Sequence, residues 1–131
     1  MPITTAQIVS VQDMPANRRR GGDIRTLLSP STVGATSGFM GTVTLEPGEV
    51  ITEHFHPYSE EFLYLVEGCI TVRLGGQDTI LTAGSGVFIP IDVRHRLHNH
   101  SDRTARGVFH LSPLAPRPDL GHVDTEALPN P

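Results

Sequence analysis

The chain has 131 residues, of which 37% are hydrophobic, 18% charged and 5% aromatic, enough for one globular core and too few for two. Its ten basic residues are all arginine and are outnumbered by fourteen acidic ones for a formal net charge of -4. This mixed balance carries no footprint for nucleic acid, and the lack of lysine removes Schiff-base chemistry and a phosphate-loop lysine. The one cysteine, Cys69, excludes an intrachain disulfide and a zinc site of several thiolates, so any metal must use His, Asp or Glu.

No apolar run approaches the roughly 20 residues of a membrane-spanning helix, and MPITTAQIVSV lacks the pattern of a secretory leader. The expectation is a soluble, cytoplasmic protein whose partner is a small molecule or a second copy of itself.

In chain order, Ile8 to Val11 and Ile24 to Leu28 are weak strand candidates, separated by Asn17-Arg18-Arg19-Arg20-Gly21-Gly22. Three charges fall short of a binding tail, so the triplet reads as a solvated loop. From 39 onward the period is two: Phe39, Gly41, Val43 and Leu45 share one face, and Met40, Thr42, Thr44 and Glu46 the other. Further strands are expected at Glu53 to His56, Glu61 to Glu67, Cys69 to Leu74, Thr79 to Leu81, Gly86 to Ile91, Val93 to His98 and Arg106 to Leu111. Turns fall at Pro47-Gly48, Gly75-Gly76, Gly84-Ser85-Gly86 and Ser101-Asp102. Short strands at this spacing suggest an all-β antiparallel sandwich or barrel. After Leu111 the tail holds five of the eleven prolines, so it should run extended, over the body or across a neighbouring subunit, with at most a short turn near Asp124 to Leu128. The expected organisation is a single domain, 1–131, with an N-terminal arm to about 35, a barrel core at about 36–112 and a tail at about 113–131.

His54-Phe55-His56 places two imidazoles on one face of a strand, within reach of one ion. Glu61 opens another strand and His95 sits in a third, and the set converges if those strands are neighbours. Three imidazoles and a carboxylate suit Zn, Mn, Fe, Ni or Cu(II), and disfavour Ca or Mg. His98 and His100 differ from His95 in parity and face away from such a site, whereas Asn99 shares its face. Cys69 reads as a small buried hydrophobe, and His122 carries no site signal.

The spacing of Gly48, His54, His56, Glu61 and Gly68 resembles the first motif of the cupin superfamily. That of Gly84, Pro90, Asp92, His95 and Asn99 resembles the second. Asp92 departs from the pattern, which has glycine there, and aspartate tolerates the left-handed backbone better than most residues. The resemblance implies a double-stranded β-helix, or jelly roll, with one divalent metal ion per chain held by His54, His56, Glu61 and His95. Glu60 competes for the carboxylate role, and His110 is an alternative fourth ligand, in which case Glu61 becomes a candidate general base. Asn99 is expected to hold a ligand or a strand corner. Phe55, Phe62, Leu63, Tyr64, Leu65 and Phe88 include candidate pocket walls, at least half of which read better as ordinary core residues of a sandwich.

The segments NRRRGGDIRTLLSPSTVGATSGFMG, EHFHPYSEEFLYLVEG, VRHRLHN and VFHLSPLAPRPDLGHVDTE are similar to those of small bacterial aromatic polyketide cyclases of the tetracenomycin and resistomycin type. That resemblance, from about Asn17 to Glu126, implies a metal-dependent intramolecular aldol cyclisation of a poly-β-keto chain, with zinc foremost and Glu61 or His110 as the catalytic base. Delivery of the substrate on an acyl carrier protein stays open. A homodimer is expected, with the Arg18 to Gly22 segment and the tail as arms. Other readings of the same ligands are a dioxygenase using Fe, Ni, Mn or Cu, and a binding module without catalysis.

Overall fold

The structure is a computed structural model and describes residues 5–131. The first four residues of the N-terminal arm lie outside it. Among the described residues ten strands form two five-stranded antiparallel sheets. They are β1 (Asp23–Leu28), β2 (Phe39–Leu45), β3 (Val50–Phe55), β4 (Glu60–Glu67), β5 (Cys69–Leu74), β6 (Gln77–Thr82), β7 (Gly86–Ile89), β8 (His95–His98), β9 (Ala105–Ser112) and β10 (Val123–Asp124). One sheet has the order β1-β2-β9-β4-β7 and the other β10-β3-β8-β5-β6. Apart from the neighbouring pairs β1-β2 and β5-β6, consecutive strands alternate between the two sheets, the jelly-roll connection expected of a double-stranded β-helix.

The period of two decides which residues are inside. Val43 and Leu45 of β2, Leu63 and Leu65 of β4, and Phe109 and Leu111 of β9 meet Ile51, Ile70, Val72, Leu81 and Leu97 of the other sheet in one core. Each is at most 7% exposed, and burying side chains of this size stabilises the fold by roughly 1.5–3 kcal/mol apiece. The motif glycines sit at turns: Gly48, Gly68 and Gly84 have φ of +82°, +87° and +89°, where a Cβ would be strained. Asp92 adopts the same left-handed region, with φ of +69°, and so does the work of the glycine it replaces.

Some expected elements differ. Ile8 to Val11 forms no strand; a single 3-10 turn covers Val11–Asp13 instead. A four-residue helix, α1 (Pro30–Val33), follows β1, started by Ser29 and Thr32 in a reciprocal capping box and ended by Gly34 in the left-handed conformation. In place of the short turn expected near Asp124 to Leu128 the structure has β10, which pairs with β3, and no helix follows it among the described residues. Among the described residues no helix is long and apolar enough to cross a membrane.

Candidate metal centre

A bulge sets the site. Ile51 and Thr52 are both buried although adjacent, and the pairing of β3 with β8 shifts register between Ile51 and His54, so the strand spends one extra residue there. Beyond the bulge the alternation resumes, and His54 and His56 both point inward, 7% and 8% exposed. His54 pairs directly with His95 of β8, which is 2% exposed. One ring nitrogen from each of the three lies within 4.8 Å of the others. Glu61 enters from the opposite sheet, on the inner face of β4 with Leu63 and Leu65; its Oε1 is 3.0 Å from His56 Nε2 and 3.3 Å from His95 Nε2. Glu60, its competitor, lies on the other face of the strand and is only partly buried.

The orientation of the rings follows from their backbone partners. Nδ1 of His54 lies 2.8 Å from the Thr52 carbonyl, Nδ1 of His56 3.0 Å from that of Gly121, and Nδ1 of His95 3.0 Å from that of Val93. A carbonyl can only accept, so each Nδ1 carries its proton and each Nε2 presents a lone pair to the shared space. Nε2 of His95 is buried there without a hydrogen-bond partner. Three ring nitrogens and a carboxylate oxygen facing one point could hold a cation between them, and three nitrogens with one oxygen suit zinc and its first-row neighbours. The residues therefore fit a divalent metal.

Electrostatics agree. Burial, reinforced by the neighbouring His95, lowers the His54 pKa to about 3, which keeps its ring neutral at pH 7 and available as a ligand. Burial alone would raise the Glu61 pKa, but the imidazoles of His56 and His95 set against its Oε1 outweigh it and hold the carboxyl well below the usual range. A carboxylate so firmly ionised makes a better ligand than proton acceptor.

Other anticipated residues lie elsewhere. His110 is exposed on the outer face of β9, opposite Phe62 of β4 with ring centroids 6.0 Å apart; by parity it points away from the three histidines, so it is neither a fourth ligand nor a base beside them. Phe62, Tyr64 and Phe88 share that outer face at 45%, 49% and 46% exposure. With Val87 and Val108 they line a shallow apolar depression outside the barrel, not a wall of the site. Leu63 and Leu65 are core. Phe55 alternates with the two histidines and is half-buried beside β10. Asn99, fully buried, donates to the carbonyls of Leu45 and Arg103 and accepts from Ser101; it holds a strand corner. Cys69 is partly exposed rather than buried.

The tail supplies what the sequence reading missed. Gly121 orients His56, and His122 stands beside that ring with centroids 6.4 Å apart; burial, with the charge of Arg20, lowers its pKa to about 4. Arg20, read as part of a solvated loop, is 8% exposed and binds Asp124 through both carboxylate oxygens, at 2.6 and 3.2 Å. Asn130 bonds the carbonyls of Arg18 and Arg19. The two expected arms thus engage each other within one chain.

The model of the cupin domain family matches residues 41–110. The chain belongs to the cupin family. This cupin is 62% identical over 121 residues to the polyketide synthase CurC of Streptomyces cyaneus, covering 92% of this chain and 79% of that one. It is 61% identical over 121 residues to protein SchB of Streptomyces halstedii, covering 92% and 88%. To the tetracenomycin polyketide synthase protein TcmJ of Streptomyces glaucescens it is 48% identical over 129 residues, covering 98% and 87%. Among solved structures it is similar to a Klebsiella pneumoniae protein with a double-stranded β-helix domain, at 19% identity and TM-score 0.74 over 93% of this chain and 99% of that one. The oxalate decarboxylase of Lactobacillus farciminis matches at 22% identity and TM-score 0.74, over 87% and 34%. At these identities the likeness is one of fold, and the fold hosts many reactions.

Proposed function

We propose that this cupin is a metal-dependent cyclase of aromatic polyketide biosynthesis, closing a ring of a poly-β-keto chain by intramolecular aldol condensation. The observation that carries the reading is the inward-facing His54, His56, His95 and Glu61 set in a chain 48% identical over nearly its whole length to TcmJ. A divalent metal, zinc foremost, would supply Lewis acidity to a keto oxygen as negative charge develops on the enolate. His54, His56 and His95 would hold it, with Glu61 as the fourth ligand. Burial of the three histidines and Glu61, each at most 8% exposed, would limit the access of bulk water to the ion.

Other parts of the proposal rest on the surface. A homodimer is supported by the apolar outer face carrying Phe62, Tyr64, Val66 and Phe88; the arms once expected to form it are engaged internally. Light scattering should return twice the 14.2 kDa chain mass, and a mass of one chain would reject the dimer. For the reaction, metal-loaded protein is incubated with a poly-β-keto substrate, free and on its acyl carrier protein, while oxygen is followed by electrode. Cyclised product without oxygen uptake is expected. Oxygen uptake coupled to turnover would replace the cyclase with a dioxygenase, and tight binding without turnover with a binding module.

A further inference from the structure

Two segments far apart in the chain meet around the histidine-bearing strand. On one side the Arg20 carbonyl accepts from the Thr52 amide at 2.9 Å, and the Thr52 carbonyl in turn holds His54 Nδ1. On the other side Val123 and Asp124 pair with Phe55 and His54, and the Thr125 amide donates to the Glu53 carbonyl. This register is what carries Gly121 to His56 Nδ1. The two sides are joined by the Arg20 to Asp124 pair, a two-point contact between a guanidinium only 9% exposed and a carboxylate 28% exposed. A planar fork so buried is oriented by its partner and orients it.

From this geometry we infer that Arg20 and Asp124 are positioning residues for the metal centre: their ion pair latches the tail to β3 and so fixes the ring orientation of His56. The inference rests on the metal reading of the histidine cluster. It explains why an arginine is buried in what is otherwise a solvent-facing loop, and why a proline-rich tail returns to one strand instead of trailing off. Groups that orient a ligating histidine typically contribute 10- to 100-fold to metal affinity.

The test uses the full chain, stripped of metal, with Zn2+ titrated against a chromophoric chelator and Co2+ followed by its visible absorption. Asp124→Asn and Arg20→Gln should each weaken Zn2+ binding about tenfold or more and alter the Co2+ bands. Arg20→Lys, which keeps the charge and one hydrogen bond, should recover most of the affinity, and His122→Ala should stay within about twofold of the parent, since its side chain is not the latch. Where a single substitution leaves an unpaired charge that unfolds the chain, the neutral pair Arg20→Gln with Asp124→Asn takes its place, and the same loss is expected. Parental affinity and an unchanged Co2+ spectrum in the folded latch variants would overturn the inference. So would a loss in His122→Ala as large as in Asp124→Asn, which would make His122 the operative group. If the parent chain itself bound no Zn2+, the metal reading would fall and the latch with it.

Discussion

The barrel and the tail are held by different forces. In β2, β4 and β9 alternate residues enter a shared apolar core and the backbone is paired along its length; removing one contact leaves many. The tail from Pro113 onward contributes no residue to that core. It is tied down by a few polar contacts: Arg20 to Asp124, Arg96 to Glu126, Thr125 to Glu53 and Asn130 to the Arg18 carbonyl. Yet both bear on the site, the frame through His95 and Glu61 and the tail through His54 and His56, so the site depends on a stable frame and on a weakly held strap.

The largest effect expected separates site from frame altogether. His54→Ala with His56→Ala should abolish metal binding and cyclisation while the circular dichroism stays that of a β-sandwich, because the core lies below the site. Within the frame, Leu65→Ala removes a side chain 1% exposed between the sheets and should cost about 2–5 kcal/mol in urea unfolding. Arg20→Gln breaks the strap and leaves Asp124 without its charged partner, at a cost of about 1–3 kcal/mol. Hydrogen exchange should show that loss concentrated in 121–126 and β3, and a uniform rise over all strands would mean that barrel and tail are one cooperative unit.

How much of this was legible in the sequence follows the same division. The period of two in Phe39 to Leu45 and Glu61 to Glu67 announced which side chains face inward, and the same rule placed His54 with His56 and set His98 apart from His95. Asp92 was readable as a left-handed turn residue because so few others tolerate one. His110 could not be placed, since Val108-Phe109-His110-Leu111 is apolar on both faces and gives no parity of its own; only its pairing with Met40 and Phe62 shows that it points out. Phe62, Tyr64 and Phe88 misled for a related reason, being large apolar residues on an exposed face. The tail was illegible because ion pairs between Arg20 and Asp124, 104 residues apart, leave no periodic trace, and the ligand-orienting groups are backbone carbonyls that any residue supplies.

Acid should take the two regions apart in order. The His54 pKa, lowered to about 3 from 6.5, means that the unfolded chain binds this proton first. Its contribution is complete above about pH 6.5 and is lost as pH falls toward 3. Asp124 and Glu126 are held below their ordinary values, Asp124 because hydrogen bonding to Arg20 outweighs its desolvation, Glu126 chiefly by its bond to Arg96. Their contribution is present above the ordinary carboxylate range and is lost only below it. Melting temperatures of metal-free protein should therefore begin to fall through the histidine range, and the His54→Gln variant should flatten that part of the profile and leave the carboxylate part. The smallest effect belongs to Arg73 and Asp78, paired on the surface at about half exposure. Arg73→Ala should leave the unfolding free energy unchanged within the error of a urea titration.

The most direct test of the account is the metal content of untagged protein purified without chelators, measured by inductively coupled plasma mass spectrometry beside the His54→Ala, His56→Ala variant. The account predicts about one divalent ion per chain, zinc foremost, and none in the variant. A parent chain free of stoichiometric metal, or a variant that retains as much as the parent, would contradict it.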